Sequence, residues 1–308
     1  MAGKITFSSK FHFILTLTTL LLTTLLLSTS VGATMNASVL RYPQAESDTD
    51  SRYQYDWAVL RSAMEKTTGT FGTFQMQGSL HRMPPARVIL EAQRPNSEIN
   101  IFVRATNNDL EKTFLPIRIP VDRGLLGYRI FLIRASDQKK FASVKTLSDL
   151  RQFTVGQGKG WADVSILNAA KFKVIEGSSY EGLFPMLKLG RFDFLSRSLD
   201  EALREYDERH VENELEVEHS LLLYYPLPRY FFVRRDAEGE QLAKRIEAGL
   251  EIMIRDGSLD RLLQKHKGAL IKRARLPQRH MFRIPNPDLS PQTPLDRREL
   301  WYDPVNGK

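Results

Sequence analysis

The chain has 308 residues, 44 Lys and Arg against 36 Asp and Glu, a formal charge of +8 at neutral pH and no cysteine. The lack of cysteine excludes disulfide stapling, so an apolar core must hold the fold unaided. The basic residues are spread along the chain and interleaved with acids, without the clustered stripe of a nucleic-acid surface, so nucleic acid is not an expected partner.

The first residues, "MAGKITFSSKFHFILTLTTLLLTTLLLSTSVGA", hold two lysines, no acid, an apolar Leu/Thr run from Phe13 to Leu27, and small residues at Val31 and Ala33. That is the three-part plan of a secretory signal with cleavage after Ala33. The run falls short of the ~20 residues of a comfortable membrane span, and a retained anchor is the alternative. No cysteine follows it, which excludes a lipid-modified cysteine. The expectation is an exported protein without stable membrane insertion. Its mature body is large enough for two lobes around a sizeable core.

Beyond the signal, "ASVLRY" (Ala37 to Tyr42) reads as a strand. From Arg52 to Lys66, Trp57, Leu60 and Met64 share one helical face, with Gly69 as the stop. "TFGTFQM" reads as a second strand. Pro84 and Pro85 open a helix over "ARVILEAQ", since proline is tolerated in a first turn, and "EINIFVRA" is a third strand. This βαβ alternation predicts a parallel sheet with helices on its faces. The apolar stretch "FLPIRIPVDRGLLGYRIFLIRA", with Gly124 and Gly127 near its middle, carries the chain into a second sheet. There the pattern repeats: a strand from Tyr128 to Ile133, a capped turn at "TLSDL" with Thr146 and Asp149 in capping-box spacing, and a strand from Phe153 to Val155. The glycine-rich "GQGKG", a helix from Ala162, strand "FKVIE", a helix to Lys188, strand "FDFLSR" and helix "LDEALREYDER" complete it. "LEVEHSLLLYYPLPRYFFVRR" is extended again and recrosses. Two helices follow, separated by Gly257, the first with Leu242, Ile246, Leu250 and Ile254 on its packing face. Past Gly268 six prolines and many arginines predict a mainly irregular tail, with a capped turn before Trp301 and Tyr302, which would dock it on a lobe.

The "GQGKG" loop fails both nucleotide patterns: Lys159 is followed by glycine instead of a hydroxyl residue, and Trp161 stands where a dinucleotide fingerprint needs glycine. The physics beneath those patterns remains. Amides around Gly158 to Ala162, a helix start and the Lys159 ammonium would hold a carboxylate or phosphate; an ordinary strand-to-helix turn with a solvated lysine is the alternative. "GRFDFLSRS" ends a strand with Ser196, Arg197 and Ser198, and strand carboxyl ends are where open α/β sheets bind ligands. Tyr53, Tyr55, Trp57, Trp161, Tyr180, Tyr224, Tyr225 and Tyr230 are core or cleft-rim aromatics. Catalytic constellations are thin. His81, His210, His219, His266 and His280 are scattered, without HExxH or GxSxG, and "SDQK" (Ser136 to Lys139) lacks the partner motifs of acyl-serine enzymes. His210 and His219 flank the acidic "VENELEVE", which reads as a solvated edge sooner than a cation site. No catalytic residue, metal or cofactor is expected.

"ASVKTLSDLRQFTVGQGKGWADV", "MLKLGRFDFL" and "RYFFVRRDAEGEQLAKRIEAGLEIMIRDGSLDRLLQKH", in this order and spacing behind an export signal, resemble the periplasmic solute-binding proteins of the family-3, polar amino acid class of ABC transporters. The likeness runs from about Val39 to Gly268. It implies a two-lobed type II periplasmic-binding α/β fold, each lobe a mostly parallel sheet flanked by helices, with an irregular C-terminal tail. It implies a non-enzymatic receptor that closes on a solute by hinge motion and meets a membrane permease. The implied division is a signal over 1–33, lobe 1 over 34–122, lobe 2 over 123–227, a return to lobe 1 over 228–270, and the tail over 271–308.

Where that family carries a carboxylate-clamping arginine, "NNDLEK" has Leu110. Its lobe-2 Ser-Gly-Thr corresponds to Gln157, Gly158 and Lys159, and the acid that takes the ligand's amine corresponds to Ser198. These departures point away from an ordinary α-amino acid and, with Lys159, toward an anionic solute. The expected ligand-binding residues are Lys159, Gly160, Trp161, Asp163, Ser196, Arg197 and Ser198 from lobe 2 and Arg104, Thr106 and Asn107 from lobe 1. A periplasmic sensory receptor with the tail as docking element, and a scaffold with a collapsed cleft, are the alternatives; a hydrolase is a more distant one.

Overall fold

The computed structural model describes residues 1, 3, 37–45, 52–209 and 214–307. The expected signal and its cleavage site, and His210, lie outside the described residues. The body over Ala37–Lys308 is treated by itself below.

Two α/β halves are built from the two alternations. In the first, β1 (Ser38–Gln44) pairs in parallel with β2 (Phe74–Arg82), and β11 (Arg229–Val233) lies antiparallel between β3 (Ile101–Ala105) and β4 (Leu115–Ile117). Asn100 joins the two groups: its backbone N–H donates to the Arg41 carbonyl at 2.8 Å, its side-chain oxygen accepts from Arg41 N–H at 2.8 Å, and its amide donates to Val39. The second half is a sheet ordered β12 (His280–Arg283), β10 (Leu221–Tyr224), β5 (Tyr128–Arg134), β8 (Phe194–Ser198), β6 (Thr154–Gly158), β7 (Lys173–Gly177), with β9 (Leu215–Val217) also on β5. β6 runs parallel to β7 and β8, and β5 antiparallel to β8 and β10. β5 is apolar without alternation because helices or loops cover both of its faces, and six of its seven residues are buried.

The helices sit close to their sequence positions. α1 (Gln54–Lys66) buries Leu60 and Met64, and α2 (Thr68–Phe71) adds a further turn. The stop is therefore Gly72, at φ +79°, instead of Gly69, and β2 begins only at Phe74. α3 (Pro85–Ala92) opens on its proline, α4 (Asn108–Thr113) and α5 (Gln138–Ala142) are short, and α6 (Leu147–Leu150) has the Thr146/Asp149 capping box. α7 (Ala162–Ala169), α8 (Tyr180–Lys188) and α9 (Leu199–Arg209) flank the second sheet. α10 (Ala237–Arg255) buries Leu242, Ile246, Leu250 and Met253 and packs on α1. Gly249 is what allows that approach, because a Cβ there would collide with the Ala63 carbonyl.

α11 (Ser258–Ala274) runs past Gly268, where the sequence pattern ends it. The tail is mainly irregular but contributes β12, which adds a parallel strand to β10. As expected, Trp301 docks: its ring lies over Gly124, which is left-handed at φ +77° and has no side chain to obstruct it, and its indole N–H donates to the Pro294 carbonyl at 2.8 Å.

Candidate functional site

Three groups of polar side chains gather where the sheets meet the chain crossings. The first is at the carboxyl ends of β6 and β8. β6 extends through Gly158, three residues past the expected end, so Gly156 and Gly158 are strand positions. A Cβ on Gly156 would enter the Phe192 ring and one on Gly158 the Trp161 ring. Aromatic packing therefore requires both glycines. Lys159 N–H donates to the Gly177 carbonyl (2.9 Å) and Trp161 N–H to that of Gly158 (3.1 Å), so two amides of the expected anion-holding turn are held by backbone. Lys159 and the left-handed Gly160 (φ +76°) are exposed.

Trp161 precedes α7 and lies 4.5 Å beneath the Arg197 guanidinium, a cation–π shelf. Arg197 is buried and paired with Glu205 through Nε and Nη2 (3.0 and 2.7 Å), with Glu201 at 3.4 Å. Tyr180 also donates to Glu205 (3.0 Å). Burial pulls the Arg197 pKa down, but Glu201 and Glu205 more than offset it, so the net direction is upward. Burial would raise Glu201, yet Arg197 and Arg129 hold it at about 2. Asp163, in the first turn of α7, pairs with fully buried Arg129 (2.7 Å) and accepts from the Tyr225 hydroxyl. The Ser196 carbonyl accepts from Gln157 (3.1 Å) and Arg129 (3.3 Å). Ser198 Oγ donates to Asp200 (2.8 Å), and its N–H donates to Glu201 (3.2 Å).

The second group ends β3. Arg104 is half-buried and edges a small, open apolar crevice together with Tyr53, Trp57, Val88 and Phe102. Thr106 is buried; its hydroxyl donates to Glu111 (2.7 Å), which Arg118 also holds (2.7 Å). Asn107 caps α4 by accepting from Leu110 N–H at 2.8 Å. Leu110 itself belongs to the apolar cluster of Met83, Val88, Phe102 and Phe114.

A third group, which the sequence pattern does not reveal, lies at the crossings. Arg229 pairs with buried Asp56 (3.2 Å) and stands 5.2 Å from the Tyr53 ring. Lys267 of α11 pairs with Asp200 at the start of α9. Burial raises Asp122 to about 6, against the pull of Arg229 and Lys267. This group links the other two, through Tyr53 on one side and Asp200 with Ser198 on the other. The only sequence signal for Arg129 and Arg229 was a charged residue inside an apolar run. A buried ion pair needs a partner, and the partner's position is not local in sequence.

Four cations of these groups are thus matched by carboxylates: Arg129 with Asp163, Arg197 with Glu205, Arg229 with Asp56, and Lys267 with Asp200. His219 is exposed and contacts Glu216 at 3.4 Å. Among the described residues no cluster of three metal-ligating side chains occurs, and no helix is long and apolar enough to cross a membrane.

No protein-family model matches the chain, and no curated protein matches it in sequence. Solved structures do match in fold. An ancestral arginine-binding protein bound to arginine is 18% identical with a TM-score of 0.51, over 74% of this chain and 97% of that one. An arginine third transport system periplasmic binding protein from Legionella pneumophila is 13% identical with a TM-score of 0.55, over 74% and 98%. An ancestral amino-acid-binding protein described as a precursor of cyclohexadienyl dehydratase is 15% identical with a TM-score of 0.50, over 74% and 94%. Nearly the whole of each neighbour is matched by about three quarters of this chain. The chain therefore has the two-lobed α/β fold of the type II periplasmic binding proteins.

Proposed function

We propose that this protein is an exported, periplasmic solute-binding receptor that captures a small polar, anionic solute between its two lobes by hinge closure and presents it to an ABC-type importer. The lobes divide at 122/123 and 227/228, with 228–270 returning to lobe 1 and 271–308 as the tail. Lys159, Gly160, Trp161, Asp163, Ser196, Arg197 and Ser198 form the lobe-2 side, and Arg104, Thr106 and Asn107 the lobe-1 side. The signal over residues 1–33 is removed after Ala33, and the protein turns over no substrate.

The observation that carries this reading is the exposed Lys159 and Gly160 at the start of α7, beside the Arg197–Trp161 shelf. Arg129, Arg197, Arg229 and Lys267 already have carboxylate partners, so the exposed Lys159 is the charge that attracts an anion to the helix start. An α-amino acid is disfavoured by Leu110, whose side chain is committed to the core.

Thermal denaturation against organic acids, amino acids, small peptides and polyamines tests the reading. A specific ligand raises the midpoint by mass action. Lys159→Ala should weaken an anionic ligand by about 1.5–3 kcal/mol, the range for charged hydrogen bonds. An unchanged titration midpoint for that variant would remove the loop from the site.

One observation favours a second reading. The matched ion pairs fill the polar interior with the protein's own charges, as expected of a scaffold with a closed, ligand-free cleft. No response to any compound of the library would favour it. Turnover of a compound would instead indicate an enzyme on this fold.

A further inference from the structure

In a two-lobed protein the halves move on the chain segments that connect them. Two such segments here are the run between β4 and β5 and that between β10 and β11. The C-terminal part of the chain adds more. α11 packs on α1 and α10 of the first half and on α9 of the second, where Lys267 and Arg273 pair with Asp200 and Asp207. Its start is tied to the first crossing through Arg123 and Asp260. The chain then pairs β12 with β10 of the second sheet.

From β12 it passes over the second crossing, where Ile284 N–H donates to the Tyr224 carbonyl (3.0 Å) and the Asn286 amide to that of Pro226 (2.9 Å). It returns to the first half, where Arg297 forms a forked pair with Glu251 of α10 (2.7 and 3.2 Å). Trp301 then covers Gly124, and Tyr302 N–H donates to the Arg123 carbonyl (2.8 Å). One apolar cluster accordingly runs from Leu60 and Met64 through Leu259, Leu263 and Leu276 to Leu199 and Leu203, without a break between halves.

We infer that the segment from α11 to Tyr302 is a clasp that braces both hinge crossings and holds the two halves in one arrangement, so that the lobes move through a smaller arc than two bare connections allow. The inference concerns the resting molecule and holds whether or not the proposed solute binds.

The absence of cysteine allows spin labels to be placed without background. Leu90→Cys on α3 and Lys173→Cys on β7 are exposed positions, one on each half. Double electron–electron resonance on the full chain should give one narrow distance distribution. Adding Arg297→Gln with Trp301→Ala should at least double its width or shift its maximum. Arg297→Gln alone, which removes a partly exposed ion pair and leaves the core intact, should broaden it in part and decides the matter should the double variant fail to fold. A native distribution that is already broad, or variant distributions superimposable on the native one in folded protein, would overturn the clasp.

Discussion

Asp122 shows how a single residue sets the behaviour of the cluster at the chain crossings. Its oxygens accept from the Gly124 and Leu126 amides at 3.1 and 2.9 Å, so it fixes the turn on which Trp301 rests. Burial raises its pKa to about 6. A carboxyl raised in the folded state binds its proton more tightly there than in the unfolded chain. Its stabilising effect is full below the unfolded value near ~4 and is lost as pH rises toward 6. Asp56 is raised by burial in the same direction. Asp200 and Glu201 are lowered, so their contribution falls away only in more acid solution, below ~4. Asp122→Asn, which keeps one acceptor for the turn, should therefore flatten the decline in stability between about pH 4 and 6 by up to ~3 kcal/mol. Urea midpoints across that range check it, and an equally steep decline in the variant would assign the titration to another group.

At the scale of elements, the packing of α10 on α1 depends on Gly249. Gly249→Ala gains helix propensity of about 1 kcal/mol but drives a methyl group into the Ala63 carbonyl, and overpacking of this kind costs roughly 1–3 kcal/mol. A net loss is expected. Gly268→Ala on α11 meets only the Gln264 side chain and should stabilise by up to ~1 kcal/mol. Chemical denaturation of the two variants, with opposite signs, checks this contrast. The elements themselves were largely legible, because apolar spacing, the Pro85 start and the Thr146 cap are local signals. Gly156 and Gly158 lie in the strand and not in a turn for a physical reason. Glycine after a strand signals a turn, whereas here it accommodates Phe192 and Trp161, and Phe192 lies far along the chain. Helix α11 runs seven residues beyond its pattern because its last turns pack on α9, a tertiary contact that no window of the sequence contains. The ion pairs of the candidate site were hidden in the same way: Arg197 and Lys267 could be seen as charges but not as partners of Glu205 and Asp200.

For the whole molecule, continuity of the apolar cluster across the halves makes a test of cooperativity possible. The chain has three tryptophans: Trp57 in the first half, Trp161 in the second and Trp301 in the clasp. Variants retaining one of them, the others changed to Phe, should unfold in urea with coincident midpoints that also match far-UV circular dichroism. A separate transition reported by Trp161 alone would show that the second half stands by itself. The two-lobed plan followed from the repeated βαβ order. The bracing did not, because prolines and arginines in a tail give no hint of the surface they will cover.

The position of Trp301 after both halves in chain order has a consequence for biogenesis. A polypeptide leaves the ribosome from its amino end at roughly 5–20 residues per second, and early segments begin to fold as they appear. Here both lobes emerge before the indole that seats on Gly124, so the residues that finish the joint are made after the halves they join.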